Sequence, residues 1–268
     1  MTRIAAGVEY DGGAYAGWQS QSNGPTVQGA VERALSKIAD EPVTVVCAGR
    51  TDTGVHAIEQ VVHFDTRALR TPRAWTLGAN TQLPNDVCLL WAKEVPEDFH
   101  ARYSALTRSY RYVILERATR PALLRKRVCW SHKPLDAAAM QAGADHLIGT
   151  HDFSAFRSSD CQSRTPLRRM DAITVRREAG FLLIDVQANA FLHHMVRNIA
   201  GVLMKIGAGE AAPDWAREVL EGRDRRFGGV TAPAGGLYLS RVTYAPEYGL
   251  PGDAGVASFM IPPVLRGD

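Results

Sequence analysis

One order of secondary-structure elements occurs twice along this chain, and it limits the possible folds more than any other feature of the sequence. In the first half, hydrophobic periodicity predicts strands at residues 4–10, 43–48, 60–66 and 87–95 and helices at residues 27–38 and 71–80. Thr26 and Pro72 mark the starts of the two helices. The resulting order, β-α-β-β-α-β, is that of a ferredoxin-like unit, in which two helices cover one face of an antiparallel sheet.

The second half repeats this order with one additional helix. Strands are predicted at residues 109–115, 170–177, 181–190 and 236–244, and helices at residues 135–147, 195–207 and 214–221. We therefore predict an α+β fold of two ferredoxin-like halves, residues 1–105 and 106–268, forming one extended antiparallel sheet with a central cleft. The tail, residues 246–268, is rich in proline and glycine and is predicted to be extended or poorly ordered.

A polar loop, residues 49–57, separates two apolar runs of the first half. It places Arg50 and Asp52 between Gly49 and Gly54, and glycines in such a position indicate a sharp turn or the close approach of another molecule. The loop is either a structural turn, in which Asp52 caps its own backbone, or a functional site. In a site, Arg50 would keep Asp52 ionised, and that carboxylate would act as base, nucleophile or electrostatic stabiliser.

Two other kinds of site have some support in the sequence. Asp52-Thr53-Gly54 is the triplet of aspartic proteases, but this chain has one copy and Arg50 opposes the coupling of two carboxylates in a dimer. His193 and His194 are adjacent, and adjacent positions on a helix point about 100 degrees apart, so we expect no shared metal ion.

Composition favours a soluble globular protein, with 46% hydrophobic and 22% charged residues. No apolar run approaches the roughly 20 residues of a membrane span, and the first residues lack the apolar core of a secretion signal, so a cytoplasmic protein is expected. The four cysteines are far apart, without zinc-ligand spacing, and are expected to be reduced thiols.

The distribution of charge is more informative than the net charge of +3. Arginine outnumbers lysine, and its planar group suits the recognition of phosphates and bases. The basic residues cluster at Arg102, Arg108, Arg111, Arg117, Arg120, Arg125, Lys126, Arg127, Arg164, Arg168, Arg169, Arg223, Arg225 and Arg226.

Four segments, in this order along the chain, resemble the tRNA pseudouridine synthase A family. They are residues 48–57 (AGRTDTGVHA), residues 99–105 (FHARYSA) with residues 108–112 (RSYRY), residues 147–153 (LIGTHDF) and residues 191–198 (FLHHMVRN). Thr53 departs from the alanine found in many relatives, a change of side-chain volume that should alter little.

The resemblance implies the pseudouridine synthase fold and an isomerase without cofactor or metal. Its expected reaction converts uridine to pseudouridine at positions 38, 39 and 40 in the anticodon stem-loop of tRNA. The aspartate matching Asp52 is the nucleophile, the tyrosine matching Tyr110 stacks on a flipped-out target base, and Arg50 and Arg197 match arginines that contact the aspartate and the RNA. The family also implies a homodimer in which one tRNA contacts both subunits.

The basic cluster at Arg164, Arg168 and Arg169 is predicted to bind RNA as well. Asp52 attacks the ribose, attacks the base, or removes a ribose proton, and the sequence does not distinguish these routes. An alternative of another class is a catalytically silent RNA-binding module that recognises stem-loops through tyrosine and arginine alone. Arg50 and Asp52 argue against it, because a pure binder has little use for a carboxylate that faces phosphates.

Overall fold

A computed structural model describes residues 1–22 and 24–251, and it has the mixed α+β architecture expected from the sequence. The helices are α1 (Val27–Ala39), α2 (Pro72–Asn80), α3 (Ala137–Asp145), α4 (Met195–Gly207) and α5 (Trp215–Gly222). The strands are β1 (Thr2–Tyr10), β2 (Val46–Cys47), β3 (His56–Thr66), β4 (Val87–Val95), β5 (Ala105–Glu116), β6 (Cys129–Ser131), β7 (Gly149–Asp152), β8 (Leu167–Glu178), β9 (Phe181–Ala188) and β10 (Leu237–Tyr244).

The chain forms two compact units, one comprising Met1–Leu106 and the segment that begins at Tyr238, the other Thr107–Leu237. The predicted division between residues 105 and 106 stays a prediction, and the structure adds that the chain returns to the first unit at Tyr238. The expected antiparallel pairing holds for most strands. Within the described residues, β10 pairs parallel with β3 and β6 pairs parallel with β5.

The first unit is built on β1, which pairs antiparallel with β4 on one side and with β3 on the other. The far side of β3 is shared, because β10 pairs with its beginning at His56 and β2 pairs further along at His63. Thr26 Oγ1 accepts the N–H of Gly29 and so caps α1. The buried side chains of Phe64 on β3 and Trp75 on α2 meet edge to face, with ring centroids 5.2 Å apart.

The second unit has the antiparallel strand order β5-β9-β8-β7. The β8–β9 hairpin turns at Ala179 and Gly180, whose φ angles are +48° and +82°, as a two-residue hairpin turn requires. The helix α3 packs closely on α4 at Gly143, where a Cβ would lie only 2.8 Å from the Ile206 side chain of α4.

The largest local difference from the prediction is β2, which has two residues instead of six. Side chains of α1 accept backbone N–H groups that a longer strand would donate to its neighbour. Val43 N donates to Ser36 Oγ at 2.9 Å, and Val45 N donates to Glu32 Oε1 at 3.0 Å. In addition, β3 begins at His56, four residues earlier than predicted, so the polar loop is shorter than residues 49–57.

Two short strands, β6 and β7, were not predicted, because three or four residues are too few to show periodicity. The predicted helix at residues 135–147 is shorter, since Asp136 Oδ1 accepts the N–H groups of Ala138 and Ala139 and starts α3 there.

Part of the predicted tail forms a single 3-10 turn, Pro246–Tyr248, and residues 252–268 lie outside the described residues. All four cysteines are free thiols. No helix in the described part of the chain combines the length and the hydropathy that a membrane span requires.

Candidate active site

Asp52 lies in the loop between β2 and β3, residues 48–55, which we call the aspartate loop. Its beginning is fixed to β3, where Ala48 N donates to Val61 O at 2.8 Å. Gln60 is fully buried and bonds Gly49 twice, accepting from its N–H and donating to its carbonyl oxygen. A buried amide that satisfies both backbone groups of Gly49 leaves this end of the loop little freedom.

The middle of the aspartate loop is fixed by the segment that follows β1. The hydroxyl groups of Tyr10 and Thr51 form a hydrogen bond of 2.8 Å, and Trp18 N donates to Thr51 O at 3.0 Å. The Tyr10 and Trp18 side chains are both buried. Thr51, the residue before Asp52, is therefore held by its side chain and by its backbone.

Two glycines allow this segment to approach so closely. A Cβ on Gly12 would lie 1.9 Å from the carbonyl oxygen of Val55. Gly17 has a φ of +98°, and a Cβ there would lie 2.8 Å from Thr51 O. Any other residue at either position would push the segment away from the aspartate loop.

The loop ends in a tight turn that leads into β3. Val55 N donates to Asp52 O at 3.1 Å, and Gly54 has a φ of +78°. His56, the first residue of β3, accepts the N–H of Gly12 at Nδ1, and its ring stacks on Tyr238 of β10 with centroids 4.6 Å apart. Asp52 is half-buried and Arg50 is exposed, and the expected ion pair between them stays a prediction.

Tyr110 belongs to the second unit, on β5 opposite Val186 of β9. Its ring is buried and meets Phe191 edge to face, with centroids 5.0 Å apart and planes at 82°. The neighbouring ring fixes the plane of Tyr110, which a stacking residue needs.

Arg197 lies in the first turn of α4, and its orientation is set by one loop. Its Nε donates to Ala232 O at 2.9 Å, while Ala232 N donates to the carbonyl oxygen of Arg197 at 3.1 Å. The next residue, Asn198, is buried and donates to Phe156 O at 2.8 Å. Just before α4, the rings of His193 and His194 lie 4.0 Å apart, and His194 has a φ of +63°.

The three arginines of the predicted RNA-binding cluster have different environments. Arg168 is buried, and its guanidinium donates to Thr165 O at 2.9 Å and to Ser163 Oγ at 2.6 Å. Burial also lowers the pKa of Arg168. Arg169 is exposed and pairs with Asp171 at 2.6 Å, and Arg164 is exposed. In this conformation Arg164 and Arg169 are presented to solvent, and Arg168 holds its own turn together.

The structure thus places Arg50 and Asp52 in the first unit, and Tyr110, Arg197 and the three clustered arginines in the second. The sequence did not reveal which residues hold the aspartate loop in place, namely Tyr10, Gly12, Gly17, Trp18, His56 and Gln60. The two glycines were a visible signal, but their contact with the aspartate loop joins residues about 40 positions apart in sequence.

Comparison with known proteins identifies the family. The sequence pattern of the family described as tRNA pseudouridine synthase matches residues 6–104 and 144–245, well over half of the chain. The chain belongs to the tRNA pseudouridine synthase family. The matched residues include Asp52 and Arg197, and Tyr110 lies between the two matched segments.

Named relatives agree with this family. The chain is 59% identical over 251 residues to a tRNA pseudouridine synthase A of Coxiella burnetii, covering 94% of this chain and 96% of the relative. It is 58% identical over 252 residues to a protein of the same name from Methylococcus capsulatus, covering 94% and 93%. Among solved structures, an archaeal box H/ACA sRNP Nop10–Cbf5 complex aligns over 87% of this chain and 59% of its own. The TM-score is 0.35 and the identity 9%, which is a weak similarity.

Membership of the pseudouridine synthase family confirms the enzyme class expected from the sequence. The protein is an isomerase that acts on uridine in tRNA.

Proposed function

We propose that this pseudouridine synthase converts uridine to pseudouridine at positions 38, 39 and 40 in the anticodon stem-loop of tRNAs, with Asp52 as the nucleophile. The family and the names of the relatives support the reaction class. The observation that carries the residue assignment is the construction of the aspartate loop. Thr51 before Asp52 and Val55 after it are both held in place, so the carboxylate is presented from a preorganised backbone.

The reaction rearranges one nucleotide without changing its mass. The glycosidic bond between N1 and C1′ breaks, the uracil turns, and a bond forms between C5 and C1′. The C5 proton leaves and N1 takes up a proton, so atoms and electrons balance and no cosubstrate is consumed. Asp52 begins this sequence by attack on the ribose, by attack on the base, or by removal of a ribose proton.

Because the target base starts in a stacked stem-loop, it must be flipped out, at a cost of a few kcal/mol. Stacking on Tyr110 returns about 1 to 3 kcal/mol of that cost. We assign to Arg50 two roles, the ion-pair partner of Asp52 and an aid to base flipping. Its exposed side chain lies two residues from the carboxylate and is accessible to RNA.

Binding of the RNA is assigned to Arg197 and to the cluster of Arg164, Arg168 and Arg169. Arg197 is preoriented through Ala232, which lowers the entropy cost of a phosphate contact. The exposed Arg164 and Arg169 make the contacts of the cluster, and the buried Arg168 supports the turn between them.

Further parts of the proposal rest on the family resemblance and on the chemistry. Since the rearrangement is redox-neutral and a carboxylate supplies the nucleophile, the reaction as assigned uses neither a cofactor nor a metal ion. We place the enzyme in the cytoplasm, as a homodimer whose two subunits contact one tRNA.

The test is conversion of uridine in an unmodified tRNA transcript, measured by carbodiimide labelling at positions 38 to 40. We expect the wild type to convert these uridines, and Asp52→Asn and Asp52→Ala to abolish conversion while tRNA binding changes by less than about tenfold. The asparagine variant keeps the side-chain shape and removes the charge.

If Asp52→Asn retains about a tenth of wild-type activity, Asp52 is not the nucleophile. If the wild type binds tRNA but converts no uridine, the protein is a binding module of the kind considered above.

A further inference from the structure

The turn between β4 and β5, residues 99–104, presents an exposed aromatic ring, and we call it the Tyr103 turn. The Tyr103 side chain is 76% exposed. Its ring lies 4.3 Å from the ring of His100, with planes at 32°, and His100 lies 4.7 Å from the ring of His63 on β3. Three rings therefore run from the buried sheet to the surface, and Tyr103 is the outermost.

The Tyr103 turn is fixed by hydrogen bonds at several points. His63 Nδ1 accepts the N–H of Ala101 at 3.1 Å, and His100 Nδ1 accepts the N–H of Tyr103 at 3.2 Å. Ser104 closes the turn, since its N–H donates to His100 O at 2.8 Å and its Oγ accepts from His100 N at 2.9 Å. A ring held outward in this way loses little conformational entropy when a partner stacks on it.

Positive charge lies beside the exposed ring. The Cζ atom of Arg102 is 5.5 Å from the centroid of the Tyr103 ring. Burial raises the pKa of the Cys47 thiol to about 12, and the charges of Arg50 and Arg102 both oppose that rise. His63, which accepts the N–H of Ala101 in the Tyr103 turn, pairs with Val46 of β2, two residues before the aspartate loop begins. The Tyr103 turn therefore contacts β3 beside the strand that leads into the aspartate loop.

This combination fits a nucleobase better than an apolar protein surface. Every base has a π face, and stacking on an aromatic side chain is worth about 1 to 3 kcal/mol whatever the base. The positive charge of the neighbouring arginines complements the phosphates that accompany a base. A protein partner would instead require apolar residues around the exposed ring.

We propose that Tyr103 is a stacking platform for an unpaired tRNA base near the target uridine, distinct from the target base assigned to Tyr110. The proposal rests on the proposed function for the identity of the RNA. Tyr103 acts as a positioning residue: it fixes the stem-loop against the first unit, beside the loop that carries Asp52, and takes no part in the bond rearrangement.

The test compares Tyr103→Ala with Tyr103→Phe, using an unmodified tRNA transcript as the probe. Filter binding gives the dissociation constant, and single-turnover conversion at saturating enzyme gives the rate of the bound complex. We expect Tyr103→Ala to weaken binding about 5-fold to 150-fold, the loss of one stacked base, with a nearly unchanged saturating rate. Tyr103→Phe keeps the ring and should bind like the wild type.

Leu69→Ala is the control, because Leu69 is an 86% exposed apolar side chain of the same unit.

Three outcomes would overturn the proposal. Wild-type binding by Tyr103→Ala would show that no base stacks there, and equal weakening by Tyr103→Phe would show that the ring is not what binds. A lower molar mass of Tyr103→Ala in light scattering would make the ring a contact between two copies of the chain. The binding measurement does not need turnover, so a wild type that binds tRNA without converting it would defeat the proposed function and leave this inference standing.

Discussion

At the scale of single residues, the aspartate loop and the Tyr103 turn both depend on buried polar side chains that accept backbone N–H groups. Gln60 does this for Gly49, and His63 does it for Ala101. The bond from Ala101 N requires an unprotonated Nδ1 on His63. Burial, together with the smaller effects of His100 and Arg3, lowers the pKa of His63 to about 4. At neutral pH the ring is therefore the acceptor that the Tyr103 turn needs.

This histidine makes stability depend on pH. The pKa of His63 is about 4 in the folded protein and about 6.5 in an unfolded chain, so the unfolded state binds more protons between these values. We expect the free energy of unfolding to fall as pH decreases from about 6.5 to 4, with no contribution from His63 above this window. Urea denaturation at several pH values measures it.

His63→Asn keeps an acceptor near the position of Nδ1 and does not titrate, so it should make the pH dependence shallower. His132→Gln, at an exposed histidine, is the matched control and should leave the slope as in the wild type. An unchanged slope in His63→Asn would show that the pH dependence comes from other groups.

At the scale of elements, local sequence signals predicted what local interactions decide. Thr26 and Pro72 mark the starts of α1 and α2, and both were visible in the sequence. The prediction of a six-residue strand at residues 43–48 was wrong, because side chains of α1 accept the backbone N–H groups of Val43 and Val45. This is an interaction between two elements, which local sequence signals do not show. The contact between the segment after β1 and the aspartate loop also joins parts of the chain that are distant in sequence.

That contact predicts a specific effect of Gly17→Ala. The added Cβ would lie 2.8 Å from Thr51 O, at a backbone φ of +98° that alanine adopts with strain, so the bond from Trp18 N to Thr51 O should be lost or lengthened. We expect kcat for uridine conversion to fall about tenfold or more, because small displacements of a catalytic group are costly.

The control for Gly17→Ala is Gly222→Ala, at the end of α5, where an added Cβ meets no atom within 4 Å. Its kcat should equal that of the wild type, and circular dichroism should show both variants folded. Full activity in Gly17→Ala would mean that the aspartate loop does not need this contact.

At the scale of the whole molecule, two compact units divide the proposed site residues, with Asp52 in one and Tyr110 and Arg197 in the other. We expect the chain to form a homodimer in solution. Light scattering coupled to size exclusion should give twice the chain mass of 29.2 kDa. A protein that has the mass of one chain and converts uridine at the full rate would contradict the homodimer.

The sequence by itself determined the helices, the α+β class and the family, because periodicity, caps and motif residues act over a few neighbouring positions. It also singled out Asp52. Only the tertiary structure decided that β10 pairs parallel with β3, that Tyr10 and Trp18 hold Thr51, and that His63 and His100 support Tyr103. These contacts join residues up to 182 positions apart, and they depend on strand register and on which elements become neighbours, for which a short stretch of sequence contains no signal.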